Sequence, residues 1–408
     1  MEKFNAIVGQ SGGPTSAINA TLVGVIKGCL QAKASGKLGT LFGMRNGIEG
    51  LLQEDLVDLG MHFDDGEWLD NLAVTPAAAL GSCRKKLKGH TEDKETYERL
   101  LEIFKKNNIR FFFYIGGNDS MDTVLKLSDY AKDHEYDIKV VGVPKTIDND
   151  LMGTDHTPGY GSAAKFVATT VKEILRDINV YKVKAVTIVE IMGRDAGWLT
   201  AAAALPRISG GIGPDLIYLP ERVFNMDEFL SSVKDALEDH PAVLVCVSEG
   251  IRFEDGEYVG SGSQSGAVDV FGHKYLSGTG KVLESAVKEN IGCKVRSIEL
   301  SLPQRCAAHI CSKTDIEESI GVGKSAVDLA LAGKTGVMAT IVRVGDYSVV
   351  YGYEDISGIA NAIKTVPDEY INSKGNNLTE SAFDYLAPLI LGEISVPYEN
   401  GLPKHIII

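Results

Sequence analysis

The chain has 408 residues, 44% of them hydrophobic and 24% charged, with a formal net charge of −14. That length exceeds what one hydrophobic core usually fills, so two lobes are expected, and the composition is that of a folded soluble chain. An acidic chain without runs of Lys or Arg is poorly suited to nucleic acid or anionic membranes, so neither is expected as a partner.

The chain opens on Phe4–Val8, a short apolar run that reads as a buried strand and leaves no room for a secretory leader. Ser11-Gly12-Gly13-Pro14-Thr15 follows, then a segment with Ile18, Leu22 and Ile26 at amphipathic helical spacing. Two readings stand open for this glycine pair: a turn whose amides approach an anion at a helix N-terminus, or a tight turn without a ligand. Further on, Gly81-Ser82-Cys83-Arg84-Lys85 is a small basic patch. Glu95–Lys106 places Leu100, Leu101 and Phe104 on one helical face.

Arg110–Ile115 is a second buried strand, and Gly116-Gly117-Asn118-Asp119-Ser120 repeats the strand-then-glycine arrangement. Two such turns in one lobe favour a phosphate cradle more than either does singly. Asn118 and Asp119 add oxygens of the kind Mg²⁺ shares with substrate phosphates, and Asp119 could equally cap a helix starting near Ser120. Val140–Val143 is a third strand, followed by Pro144-Lys145-Thr146-Ile147-Asp148-Asn149-Asp150. A lysine beside two carboxylates at a strand end can deprotonate a hydroxyl while neutralising phosphate charge. A solvated polar turn is the alternative.

Ala163–Arg176 reads as a helix with Phe166, Val167, Val171, Ile174 and Leu175 inward. Val186–Ile191 is a strand leading into Glu190-Ile191-Met192-Gly193-Arg194, whose guanidinium suits phosphate oxygens, with a surface salt bridge as the alternative. Leu216–Leu219, Ala242–Val247 and Met338–Val344 complete the strands, and Gly260–Gly266 reads as a surface loop. Arg296 and Leu302-Pro303-Gln304-Arg305 add cations late in the chain. Strands alternating with helices predict a doubly wound α/β architecture, with ligands beyond the carboxyl ends of the strands. The six cysteines show no CxxC pair or disulfide-framework spacing and read as mostly buried thiols in a reducing compartment. No stretch approaches the roughly 18 apolar residues of a membrane span, so a cytoplasmic protein is expected.

In order along the chain, SGGPTSAINA, LGSCRKK, GGNDS, PKTIDND, TPGYGSA, EIMGR, VSEG and LPQR resemble the phosphofructokinase family. The glycine turn alone would also suit a lipid or NAD kinase, but TIDND followed by MGR at this distance does not. The resemblance implies two Rossmann-like lobes with the active site in the cleft between them. It assigns residues 1–159 with about 305–355 to a phosphoryl-donor lobe, and 160–304 with about 356–408 to a fructose 6-phosphate lobe. Asp148 becomes the base for the sugar hydroxyl, with Thr146 and Ile147 along the sugar and Asp150 near the metal and phosphates. Met192, Gly193 and Arg194 become contacts of the sugar phosphate, Glu249 of a sugar hydroxyl, and Arg305 of the 6-phosphate. Arg296 reaches a neighbouring subunit's substrate, which implies a homodimer or homotetramer, and Gly12 and Arg84 lie on the donor side.

Asp119 and Lys145 decide the donor within this resemblance, because ATP-using members typically have glycine at both positions. A carboxylate at Asp119 would repel the α-phosphate of ATP, and Lys145 would stabilise the transferring group, so pyrophosphate with Mg²⁺ is expected. The departures are Asn118 where members carry a metal-associated aspartate, and Ala185 in place of an arginine, with Lys184 and Lys182 nearby. Leu22 and Ile26 stand where regulated bacterial enzymes carry effector-binding arginines, which implies no conventional nucleotide regulation. An ATP-dependent enzyme of the same branch and a catalytically silent phosphosugar-binding subunit are the competing expectations. The second would be expected to lose the TIDND base or the lysine, and both are present.

Overall fold

A computed structural model describes residues 3–62, 65–261, 278–360 and 362–408. The near-continuous apolar runs form strands buried on both faces, as a helix-covered parallel sheet requires. The larger sheet contains β1 (Asn5–Gln10), β2 (Leu41–Met44), β3 (Leu56–Asp58), β4 (Ile109–Gly116), β5 (Lys139–Pro144), β10 (Val337–Val344) and β11 (Ser348–Asp355). Its order is β11-β10-β5-β4-β1-β2-β3, parallel from β10 to β2 and antiparallel at both edges. The smaller sheet contains β6 (Ala185–Ile191), β7 (Leu216–Tyr218), β8 (Ala242–Ser248) and β9 (Lys294–Glu299), all parallel in the order β7-β8-β6-β9.

Each sheet is covered on both sides. Val8, Phe113 and Val143 pack on one face of the larger sheet, and Ile7, Phe112 and Val140 on the other. Val189 and Cys246 face one core of the smaller sheet, and Ile188 and Val245 the opposite one. The short or half-exposed strands β2, β3, β9 and β11 escape a search for apolar runs, because Lys294–Glu299 alternates partly buried with exposed residues.

Three helical expectations change. The helix Ile18–Ala34 is buried nearly all round, because it lies against both the sheet and the helix Lys313–Leu331. Gly24 and Gly323 let those helices cross backbone to backbone: a Cβ on Gly24 would stand 3.0 Å from the Gly323 Cα. In Lys94–Lys106 the buried face is Tyr97, Leu100, Ile103 and Phe104, and Leu101 is only partly covered. In Tyr160–Ile178, Val167, Val171 and Leu175 are buried while Phe166 and Ile174 sit at the margin. Four of the cysteines are buried, Cys293 is half-buried and Cys306 is exposed. Of the expected loop Gly260–Gly266, residues 262–266 lie outside the described residues. No helix among the described residues is long and apolar enough to cross a membrane.

Candidate active site

Chain order in the larger sheet reverses beside β1: β2 lies on one side and β4 on the other. A crevice opens at such a switch point. The turns after β1, β4 and β5 share that level, since Gln10 pairs with Ile115 and Gly116 with Pro144. The turns after β6 and β8 lie level in the other sheet, where Ile191 pairs with Ser248. All five turns border one cleft of about 480 Å³, lined among others by Gly12, Arg84, Asn118, Asp119, Lys145, Thr146, Ile147, Asp148, Asp150, Met192, Arg194, Glu249 and Arg305.

Gly12 has φ +77°, a conformation open to glycine at little cost. Its amide donates to the Cys83 carbonyl at 3.2 Å and its carbonyl accepts from Ser82 Oγ at 2.6 Å. The basic patch carrying Arg84 is thereby fastened to the first glycine turn. Lys145 is 2% exposed and its ammonium donates to the Gly13 carbonyl at 2.5 Å. A Cβ on Gly12 would stand 3.4 Å from Lys145 Nζ, and one on Gly13 3.3 Å from Arg305 Nη1. Burial lowers the Lys145 pKa to about 8; Asp148 and Asp150 oppose the shift, while Arg305 and Arg84 add to it. Three cations therefore converge where the protein is otherwise acidic.

Asp119 does not cap its helix. The helix Asn118–Asp133 begins one residue earlier, after Gly117, so the carboxylate lies in the first turn. It stands 3.6 Å from the Lys86 ammonium at the mouth of the cleft. Asn118 Nδ2 donates to Asp150 Oδ2 at 3.3 Å, while Asn118 Oδ1 is buried without a hydrogen-bond partner among the described residues. An unpaired buried acceptor costs about 1–3 kcal/mol, so a group that covers it is strongly favoured. No cluster of three or more His, Cys, Asp or Glu able to hold a metal occurs among the described residues. The orphan oxygen beside one carboxylate fits Mg²⁺, which takes few protein ligands and keeps water and phosphate for the rest.

Asp148 is partly buried at the centre of the cleft, its amide donating to Thr146 Oγ1 at 3.1 Å. Desolvation raises its pKa above the ordinary carboxylate range, although Arg194 and Lys145 pull it down. Asp150 is raised too, by desolvation and then by the charge of Asp148. Asn149, between them, is fully buried with φ +54°, a conformation asparagine tolerates better than most residues.

At the other end, Gly193 has φ +139°, where a Cβ would meet the Ala196 carbonyl at 2.6 Å. Its amide donates to Glu249 Oε1 at 3.3 Å, and burial raises Glu249 to about 8. Burial thus favours the neutral carboxyl, a form that can donate as well as accept. Arg194 Nε donates to Asp195 Oδ2 at 2.7 Å, and Arg252 holds the other oxygen of Asp195 at 2.6 Å. Met192 N donates to Gln304 Oε1 at 3.1 Å, so the turn carrying Arg305 is fixed to the turn after β6.

Arg296 is not in the cleft. It is exposed on β9, beside Thr170, Glu173, Ile174 and Asp177 of the helix Tyr160–Ile178. Sequence reading missed Asp195, Lys86 and the roles of Asn149 and Gln304. Asp195 follows the Met-Gly-Arg run directly and had that proximity as its signal; Gln304 acts through a backbone contact 112 residues away and had none.

The phosphofructokinase model matches residues 5–330. A pyrophosphate–fructose 6-phosphate 1-phosphotransferase from Methylococcus capsulatus is 41% identical, over 100% of this chain and 96% of its own. One from Xanthomonas campestris is 42% identical, over 100% and 96%. The crystal structure of a pyrophosphate-dependent phosphofructokinase from Nitrosospira multiformis superposes with a TM-score of 0.89 at 38% identity, covering 99% of this chain and 96% of that one. The likeness runs the full length and includes every turn that borders the cleft, and the chain belongs to the phosphofructokinase family.

Proposed function

We propose that this protein transfers a phosphoryl group from pyrophosphate to the 1-hydroxyl of fructose 6-phosphate, giving fructose 1,6-bisphosphate and phosphate. The observation that carries the reading is the presence of both a buried Lys145 and Asp119 in the cleft lined by the glycine turns and Asp148. Lys145 leaves a cation where the transferring group passes, and Asp119 puts a carboxylate where a nucleotide would extend. That combination suits a compact donor, and it is why ATP is the weaker choice.

In this reading Gly12 and Arg84 receive the donor, and Asp148 takes the hydroxyl proton as the oxygen attacks phosphorus. Its raised pKa makes it a stronger base than a solvated carboxylate while it is ionised. Thr146 and Ile147 lie along the sugar, Met192, Gly193 and Arg194 meet its phosphate, and Glu249 meets a hydroxyl. Arg305, whose guanidinium stands beside Gly13, serves the 6-phosphate. Mg²⁺ would be held through Asn118 with Asp150 beside it, and when bound it neutralises phosphate charge. Arg296, remote from its own cleft, serves the sugar phosphate of a partner subunit in a homodimer or homotetramer. The larger sheet with its flanking helices is the donor side and the smaller sheet the sugar side.

A coupled assay with fructose 6-phosphate, Mg²⁺ and either pyrophosphate or ATP tests this. Turnover with pyrophosphate and little or none with ATP is expected; turnover with ATP alone would overturn it.

A further inference from the structure

The match to the family model ends at residue 330, yet two side chains beyond it grip the loop that carries Asp148. Lys364 Nζ donates to the Asp155 carbonyl at 2.6 Å, to the Thr154 carbonyl at 3.3 Å and to Asn149 Oδ1 at 3.3 Å. Its own amide donates to the Asp150 carbonyl at 2.8 Å, and its carbonyl accepts from Trp198 Nε1 at 2.9 Å. The ammonium also lies 5.3 Å from the Trp198 ring centroid. Tyr385 reinforces the same loop: its hydroxyl accepts from Asn149 Nδ2 at 2.8 Å and donates to the Asp155 carbonyl at 2.6 Å.

One lysine thus ties the 149–155 loop to Trp198, which follows the turn carrying Arg194. Asn149 needs this help, because its left-handed backbone is held by partners on both ends of its amide. We propose that Lys364 is a positioning residue for phosphoryl transfer, holding Asp148 in register with the acceptor hydroxyl through Asn149 and Asp150, with Tyr385 as its second brace. It touches neither substrate nor the reacting atoms. The proposal rests on the reaction given above. A displacement of about 1 Å can cost roughly 100-fold in rate, so the effect falls on kcat.

The test is steady-state kinetics of the full chain with pyrophosphate, fructose 6-phosphate and Mg²⁺ for wild type, Lys364→Met, Tyr385→Phe and the double variant, with thermal unfolding in parallel. Lys364→Met is expected to lower kcat about 10- to 100-fold with both KM values within about threefold. Tyr385→Phe should lower kcat less, and the double variant should lose less than the product of the single losses, since both act on one loop. A folded Lys364→Met enzyme with wild-type kcat, or one whose loss is confined to KM, overturns the proposal. If Lys364→Met does not fold, unchanged kcat in Tyr385→Phe overturns it. Wild-type enzyme inert toward pyrophosphate would instead sink the functional reading, which keeps the two failures apart.

Discussion

The ammonium of Lys145 donates to the carbonyl of Gly13 at 2.5 Å, tying the strand end after β5 to the glycine turn after β1. The bond consumes one of three ammonium donors and leaves the others for phosphate oxygens. Among the described residues no carboxylate forms an ion pair with it, and Asp148 and Asp150 act on it only through their charge. Asp119 is placed differently, half-exposed at the mouth and facing Lys86.

The two residues should therefore fail in different ways. Asp119→Gly removes side chain and charge together and should open the cleft to ATP. Lys145→Gly should lower pyrophosphate turnover about 100- to 1,000-fold, the range for losing one preorganised charge-stabilising group. Measuring kcat/KM for both donors in wild type, both single variants and the double variant decides it. Gain of ATP use is expected only where Asp119 is gone. Undetectable ATP turnover in Asp119→Gly would refute this account of donor choice.

The pH dependence follows from the same groups. Asp148 must be ionised to accept a proton, and its pKa is raised, so kcat/KM should fall on acidification at a pH above the ordinary carboxylate range. Lys145 must be protonated, and burial sets it at about 8, so activity should fall again as pH rises through about 8. Lys145→Arg should remove the alkaline limb from that region, because guanidinium stays charged. Asp148→Asn should lower turnover roughly 100- to 10,000-fold with substrate binding largely kept. An alkaline limb unmoved in Lys145→Arg would assign it to another group.

Stability has its own charged centre. His156, 2% exposed, lies 2.8 Å from Asp155 Oδ1 and 2.5 Å from Glu318 Oε2, with Tyr347 donating to the other Glu318 oxygen at 2.8 Å. Burial disfavours the imidazolium, but Asp155 and Glu318 outweigh it and hold the His156 pKa above its ordinary value. The stabilisation is complete below the unfolded value of about 6.5 and is lost as pH rises through the raised folded value. His156→Ala should cost about 3–5 kcal/mol in urea unfolding at low pH, and the gap to wild type should narrow at high pH. A gap independent of pH would show that packing alone is lost.

Arg296 gives the prediction about assembly. If it completes the sugar-phosphate site of a partner subunit, Arg296→Ala should raise the KM for fructose 6-phosphate about 10- to 100-fold, as for a lost hydrogen bond to a charged group. Dilution to monomers should abolish activity. Fully active monomers by light scattering and assay would refute it.

The sequence by itself determined the strands of the sheet interiors, since Phe112–Ile115, Val140–Val143 and Val186–Ile191 must be covered on both faces and so read as unbroken apolar runs. It also determined where chemistry gathers, because the glycine turns, the TIDND acids and Arg194 each stand directly after such a run. Edge strands such as β9 and β11 were not legible, as their residues alternate between partner and solvent and no run survives. The helix Ile18–Ala34 shows a one-sided pattern in sequence but is covered on nearly all sides, because Gly24 and Gly323 bring a second helix onto it. Only the tertiary structure decided that Lys145 binds Gly13, that Gln304 holds Met192 and that Lys364 braces Asn149. These contacts join residues 112 to 215 apart in the chain, beyond any local periodicity. Hydrogen-bond donors and acceptors buried by folding must find partners wherever the fold brings them together, and that requirement is met only once the sheets are packed.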